Sequence, residues 1–78
     1  MKQDLKINEI INKINTLSKN NKISIEIIAD RKIYCENVDY VEIDNKNRFH
    51  IHYYNINNDC CGSVCEINKI KKIRSILL

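Results

Sequence analysis

Hydrophobic residues in the first twenty positions recur with a helical period. Five aliphatic side chains fall within an arc of about 120° on a helical wheel; they are Ile7, Ile10, Ile11, Ile14 and Leu17. Polar residues occupy most of the remaining wheel. The pattern predicts an amphipathic helix over residues 4–19 that packs on a sheet, because a lone helix of this length is marginal in water.

From residue 22 onward the pattern changes to a period of two, which is typical of strands with one buried face. The clearest strand is predicted over residues 48–56, and other extended stretches over 22–28, 32–35, 40–44 and 63–67. The two sides of the clearest strand are Phe49, Ile51 and Tyr53 on the inner side, and His50, His52 and Tyr54 on the outer side. An alternative places the N-terminal helix over the histidines, which would reverse the inner and outer sides.

The C-terminal segment repeats isoleucine at every third position, namely at Ile67, Ile70, Ile73 and Ile76. In a helix this spacing drifts by about 60° per step, which would bring Lys69 and Arg74 into the apolar sector. A strand ending near residue 67, one helical turn over 68–71 and a last strand over 72–77 avoid that conflict. We therefore predict strand–turn–strand, with one continuous helix as the alternative.

Turns in this chain depend on asparagine and aspartate, because the sequence contains one glycine and no proline. Short polar side chains of this kind tolerate positive φ and bond to the local backbone. The clearest case is residues 44–47, which read Asp-Asn-Lys-Asn and predict a hairpin connection.

The predicted order is one helix, four strands drawn from the five extended stretches that precede the helical turn, the turn itself and a last strand. Three segments carry this order: residues 22–28, 44–51 and 67–76. The order resembles the small SH3-type barrels and, among them, the Sm-like family, whose members begin with a helix and have a short 3₁₀ turn between strands four and five. We expect an α+β fold, in which an N-terminal helix packs on a strongly bent five-stranded antiparallel sheet or small open barrel formed by residues 22–78. Residues 1–78 are predicted to form one domain.

Charge is concentrated at the end of the chain. The net charge is +3, and residues 66–78 carry all of it, since four cations face one carboxylate. The cations are Lys69, Lys71, Lys72 and Arg74. The overall balance is less basic than in most nucleic-acid modules. In a chain of 78 residues the core is marginal, so we expect association with further copies.

Cysteine and histidine offer a metal site as an alternative interpretation. Cys60 and Cys65 are separated by four residues, and His50 and His52 precede them on the clearest strand. Cys60 and Cys61 are adjacent, so their side chains point in different directions. The spacing of the cysteines is also poor for a zinc knuckle. We predict no metal and no cofactor. Neither a secretory leader nor a membrane-length apolar run is recognisable, so we expect a cytoplasmic protein with reduced cysteines and no membrane partner.

The functional prediction is a non-enzymatic binding protein. Phosphate-cradling glycine loops and an oxyanion setting for a nucleophile are not recognisable. Heavy use of isoleucine, lysine and asparagine, whose codons are AT-rich, suggests a phage or another mobile element of a low-GC bacterium. We expect it to occupy a partner protein's surface as a steric inhibitor, through His50, His52, Tyr54 and the four C-terminal cations. The alternative is an Sm-like protein that binds RNA, single-stranded DNA or a small nucleotide.

Overall fold

The structure, a computed structural model, describes residues 2–78, with side chains described from residue 7 onward. Helix α1 (Lys2–Asn20) is followed by six strands: β1 (Ile23–Ile28), β2 (Lys32–Cys35), β3 (Val38–Ile43), β4 (Arg48–Tyr54), β5 (Cys60–Glu66) and β6 (Lys72–Leu77). A 3₁₀ turn (Ile67–Lys69) separates β5 from β6. The predicted strand–turn–strand ending is confirmed, and so is the N-terminal helix.

The strands form two three-stranded antiparallel sheets. Sheet I has the order β2-β1-β6, and sheet II has the order β3-β4-β5. The α+β class is confirmed, but the prediction of one five-stranded sheet is wrong. The extended run from residue 32 to residue 43 is interrupted at Asn37, whose φ of 54° lies outside the strand region. The chain therefore leaves sheet I after β2 and enters sheet II with β3.

A single hydrophobic core is shared by α1 and both sheets. Its fully buried side chains include Ile14 from the helix, Ile25 from sheet I and Phe49 from sheet II. Burial alternates along β4, so that Phe49 and Ile51 lie inside. The predicted inner side of this strand is confirmed. Within residues 2–78, no helix combines the length and the apolar character that a membrane crossing requires.

Helix α1 covers the outer backbone edge of β3. The Asn15 side chain makes two hydrogen bonds to Val41: Oδ1 accepts from the Val41 N–H at 2.8 Å, and Nδ2 donates to the Val41 carbonyl at 3.0 Å. Ser18 Oγ donates to the carbonyl oxygen of Asp39 at 2.9 Å. An open strand edge is a template for unwanted pairing. The helix therefore contributes both apolar packing and polar groups that occupy this edge.

Asparagine residues supply the left-handed turn positions, as predicted. The non-glycine residues with positive φ in the described part of the chain are Asn37, Asn47 and Asn58. Asp44 Oδ1 accepts the backbone N–H groups of Lys46 and Arg48 and closes the predicted hairpin. In the next hairpin, Asn55 Oδ1 accepts from the backbone of residues 57 and 59. This tight closure lets β5 begin at residue 60 rather than at residue 63.

Candidate binding face on sheet II

The outer side of sheet II carries a row of partly exposed rings and the small side chains beside them, which together we call the ring face. Its members come from all three strands: Tyr40 from β3, His50, His52 and Tyr54 from β4, and Gly62 and Val64 from β5. Each strand places alternate side chains on opposite sides of the sheet. Because Phe49 and Ile51 are buried, their neighbours on β4 turn outward, as the sequence predicts.

Two imidazoles on the ring face are each held by a carboxylate from the β3 side of the sheet. His50 Nε2 lies 2.8 Å from Asp44 Oδ2, and His52 Nε2 lies 2.7 Å from Glu42 Oε2. In both pairs the carboxylate lies diagonally across from the histidine, a distance that a long side chain spans in an antiparallel pair. The carboxylates thereby fix the orientation of both rings before any partner arrives.

The rings on this face are nearly parallel. Tyr40 stacks on His52 with ring centroids 4.2 Å apart and an interplanar angle of 15°. The His50 and His52 rings are 6.4 Å apart at 14°. Stacked rings of this kind contribute about 0.5–1.5 kcal/mol beyond the area that they bury. The stack and the two carboxylate contacts together make a pre-organised surface of upright rings.

The carboxylate of Asp44 is the most strongly perturbed acid on this side of the molecule. Hydrogen bonding from His50 is the largest influence that holds the pKa of Asp44 well below its usual range, and hydrogen bonds from Arg48 and from the backbone of Lys46 act in the same direction. Partial desolvation opposes this shift. Elsewhere on the face, the nearby carboxylate of Asp39 is the main cause that raises the pKa of Tyr54.

Replacing Asp44 with asparagine should change how stability depends on pH. A depressed carboxylate pKa stabilises the folded state above the unfolded pKa of about 3.9, and this stabilisation is lost as pH falls through the folded value. The unfolding free energy of wild type should therefore exceed that of Asp44→Asn most clearly above pH 5, and the gap should narrow below about pH 4. Urea unfolding at several pH values measures this difference. A gap that does not change with pH would contradict the assignment.

The predicted cations do not join the ring face as one surface. Lys72 and Arg74 lie on β6 in sheet I, and Arg74 Nη1 is 3.7 Å from Glu26 Oε1. Lys69 lies in the 3₁₀ turn, where its Nζ is 3.1 Å from Glu66 Oε2. Lys71 precedes β6, and its backbone N–H donates to the Ile28 carbonyl. The seven residues of the predicted site are therefore divided between two sheets and a turn.

The cysteines of the alternative metal site lie on opposite sides of sheet II. Cys60 pairs with Tyr54 and is exposed, whereas Cys65 pairs with Phe49 on the inner side. Burial raises the pKa of the Cys65 thiol, which disfavours the thiolate that a metal requires. In the part of the chain that the structure describes, no three His, Cys, Asp or Glu side chains are placed to hold a metal ion.

Several residues of the ring face are absent from the sequence prediction. Tyr40 and Val64 belong to it, and so does Gly62, which directly precedes the extended stretch predicted over residues 63–67. The sequence shows that these residues alternate with inward ones. It does not show the pairing register that brings the three strands together.

Comparisons of this chain with protein-family models, with curated proteins and with solved structures find no match.

Proposed function

We propose that this chain is a non-enzymatic binding protein that occupies a partner protein's surface through the ring face. The observation that carries the proposal is the set of near-parallel rings whose imidazoles are fixed by carboxylates. Aromatic groups dominate the energetics of protein interfaces, and rings that are already ordered lose little entropy on binding. Its effect would be steric, through the surface that it covers.

The electrostatics of the ring face support a protein partner over a nucleic acid. Glu42 and Asp44 lie beside the histidine rings. Arg48 pairs with Asp44, so Glu42 is the carboxylate that a phosphate backbone would meet there. Two of the four C-terminal cations, Lys69 and Arg74, already have carboxylate neighbours. Nucleic-acid binding depends on cations that replace condensed counterions. The side chains best placed to stack are therefore separated from the cations best placed to bind phosphate.

Association with further copies of the chain is part of the proposal. Strands β5 and β6 each pair with one neighbour, on one side only, within the described sheets. Unpaired strand edges favour pairing with another chain. We also propose that the protein acts in the cytoplasm, where its four thiols would stay reduced, and that it is encoded by a phage or another mobile element.

The second candidate is an Sm-like binder of RNA, single-stranded DNA or a small nucleotide. It is favoured by the N-terminal helix and by the 3₁₀ turn before the last strand, which are the features that carry the resemblance. The backbone contact of Ile67 with Asn47 also brings the 3₁₀ turn, which contains Lys69, next to the hairpin that contains Lys46. This candidate places the binding surface at those loops and on the cationic terminus.

The proposed function predicts which substitutions abolish capture of a partner. Immobilised wild-type protein is exposed to a lysate of the encoding organism, after nuclease treatment and at moderate salt. A protein that is retained by wild type should be lost in the triple variant His50→Ala, His52→Ala, Tyr54→Ala. It should be retained by Lys69→Glu, Lys71→Glu, Lys72→Glu. Aromatic interfaces change little over this range of salt, whereas phosphate contacts weaken steeply.

The same pair of variants separates the two candidates. If, in a parallel capture without nuclease treatment, wild type retains nucleic acid that the lysine variant releases, the second candidate replaces the first. A partner that binds the alanine triple variant as strongly as wild type would contradict the ring face as the binding surface. Circular dichroism and thermal unfolding of both variants check that the fold is intact.

A further inference from the structure

Gly62 occupies the middle of β5 without a backbone reason for glycine. It is the one glycine in the sequence, and glycine weakens a strand interior because it has no side chain to pack and more backbone entropy to lose. Its φ is not positive, and an added Cβ would meet only the Ile51 carbonyl oxygen, at an ordinary contact distance of 3.8 Å. A glycine inside a strand often marks a close approach by another molecule.

The missing side chain leaves a slot beside the ring stack. Gly62 lies directly opposite His52 in the register of β4 and β5. Tyr40 covers one face of the His52 ring from β3, and β4 lies between β3 and β5. His52 and Gly62 line the same cavity, so the His52 ring borders the space above Gly62. The resulting cavity has a volume of about 210 Å³ and is lined by His50, Ile51, His52, Gly62, Ser63 and Val64.

We propose that this slot receives one aromatic side chain of the partner protein, which extends the stack of Tyr40 and His52 by a third ring. The inference rests on the proposed function and identifies the kind of side chain through which the partner would be anchored. The slot is smaller than the roughly 300–1,000 Å³ of typical small-molecule pockets, which suits a single ring. Offset or parallel stacking on an imidazole is a favourable arrangement for such a ring.

The charges around the slot determine which residues should flank the aromatic side chain of the partner. Glu42 holds His52 from the β3 side of the sheet, opposite the slot, and its side chain is half exposed. Asp44 is already paired with Arg48 as well as with His50. The carboxylate that remains for a partner is therefore that of Glu42. A partner segment with lysine or arginine beside its aromatic residue complements this field, whereas a nucleotide would bring its phosphate toward it. We therefore assign the slot to an aromatic residue in a basic segment of a protein.

Short peptides test the chemistry of the slot directly. Lys-Trp-Lys, Glu-Trp-Glu and uridine monophosphate are titrated into ¹⁵N-labelled protein and followed by NMR. Lys-Trp-Lys should shift the amide signals of Gly62 and Val64 in a saturable way. At low salt it should bind roughly tenfold tighter than Glu-Trp-Glu, because the charge on either side of the ring is reversed. Stronger binding by uridine monophosphate, or no saturable shift with Lys-Trp-Lys, would overturn the proposal.

Gly62→Val fills the slot while suiting the strand. Valine is favoured in strands, so the variant should unfold at the same or a higher temperature than wild type, yet lose the response to Lys-Trp-Lys. Cys60→Val is the matched control, since it adds a branched side chain on the same side of β5 outside the slot, and it should keep the response. If the peptide response were unchanged in Gly62→Val, the slot would not be the binding site.

The same variant separates this inference from the proposed function. A captured partner that is lost in the alanine triple variant but retained by Gly62→Val would leave the ring face as the interface and refute the slot. Loss of the partner in the alanine triple variant and in Gly62→Val, with retention by Cys60→Val, supports both the ring face and the slot. Retention of the partner by the alanine triple variant, by Gly62→Val and by Cys60→Val refutes both the ring face and the slot.

Discussion

Replacing Asn15 with alanine should destabilise the protein by about 2–3 kcal/mol, although alanine is the better helix former. The Asn15 side chain satisfies both the N–H and the carbonyl of Val41 from the helix, at 2.8 and 3.0 Å. Truncation would leave two partly buried backbone groups without partners, and each such group costs roughly 1–3 kcal/mol when unsatisfied. Water that reaches the edge recovers part of this loss. Urea unfolding followed by circular dichroism measures the change.

Asn12→Ala is the matched control for this prediction. Asn12 lies on the exposed side of the same helix, so its replacement makes the same change in helix propensity without opening a strand edge. It should leave stability unchanged or raise it by a few tenths of a kcal/mol. A second signature is amide hydrogen exchange at Val41, which should accelerate in Asn15→Ala and not in Asn12→Ala. Equal stability of the two variants would show that the side chain does not hold the edge.

The role of Asn15 shows what hydrophobic periodicity detects and what it leaves out. The wheel correctly predicts α1 and its apolar side, because burial of Ile7 and Ile14 follows directly from the period. Ser18 lies within that apolar arc, and Asn15 borders it, so two polar residues on the packing side were a signal. Their hydrogen-bond acceptors lie more than twenty residues away, in β3. Contacts of that range cannot be read from a local pattern.

The division into two sheets was also beyond the pattern. Each extended stretch was identified, and the strand–turn–strand ending followed from the conflict between a period of three and a helical wheel. The break at Asn37 depends on one residue with positive φ, and many asparagines in this chain could adopt it. One turn residue decides which sheet the next strand joins. The positions of the strands could therefore be predicted, but the pairing of one strand with another could not.

The candidate site shows the same limit at the scale of a single residue. His50, His52 and Tyr54 follow from the alternation along β4, and their outward position is confirmed. The extended stretch predicted over residues 63–67 begins only after Gly62, since glycine usually marks turns. In the structure Asn55 and Asn58 close the hairpin without glycine, and the pairing of Cys60 with Tyr54 places Gly62 inside the strand. The slot therefore exists because strand pairing overrides the local preference of glycine for turns.

Replacing Phe49 with alanine is expected to have the largest effect of any single truncation, about 3–5 kcal/mol. Phe49 is fully buried at the centre of sheet II, where it pairs with Ile43 on one side and Cys65 on the other. Domains are stable by only about 0.05–0.15 kcal/mol per residue, so the loss would be a large fraction of the total free energy of unfolding. Truncation removes the transfer free energy of the ring and leaves a cavity that a small core cannot fully close.

Two companion variants determine whether burial of the Phe49 ring is the cause. Phe49→Leu keeps most of the volume and should cost about 1–2 kcal/mol. Ile56→Ala removes a side chain of similar hydrophobicity that is 98% exposed at the tip of the second hairpin, and should change stability by less than about 0.5 kcal/mol. Urea midpoints in the order Ile56→Ala, Phe49→Leu, Phe49→Ala, from highest to lowest, are expected. A Phe49→Ala midpoint close to that of Ile56→Ala would mean that the core is not organised around this ring, and the placement of His50 and His52 on the outer side of β4 would lose its physical basis.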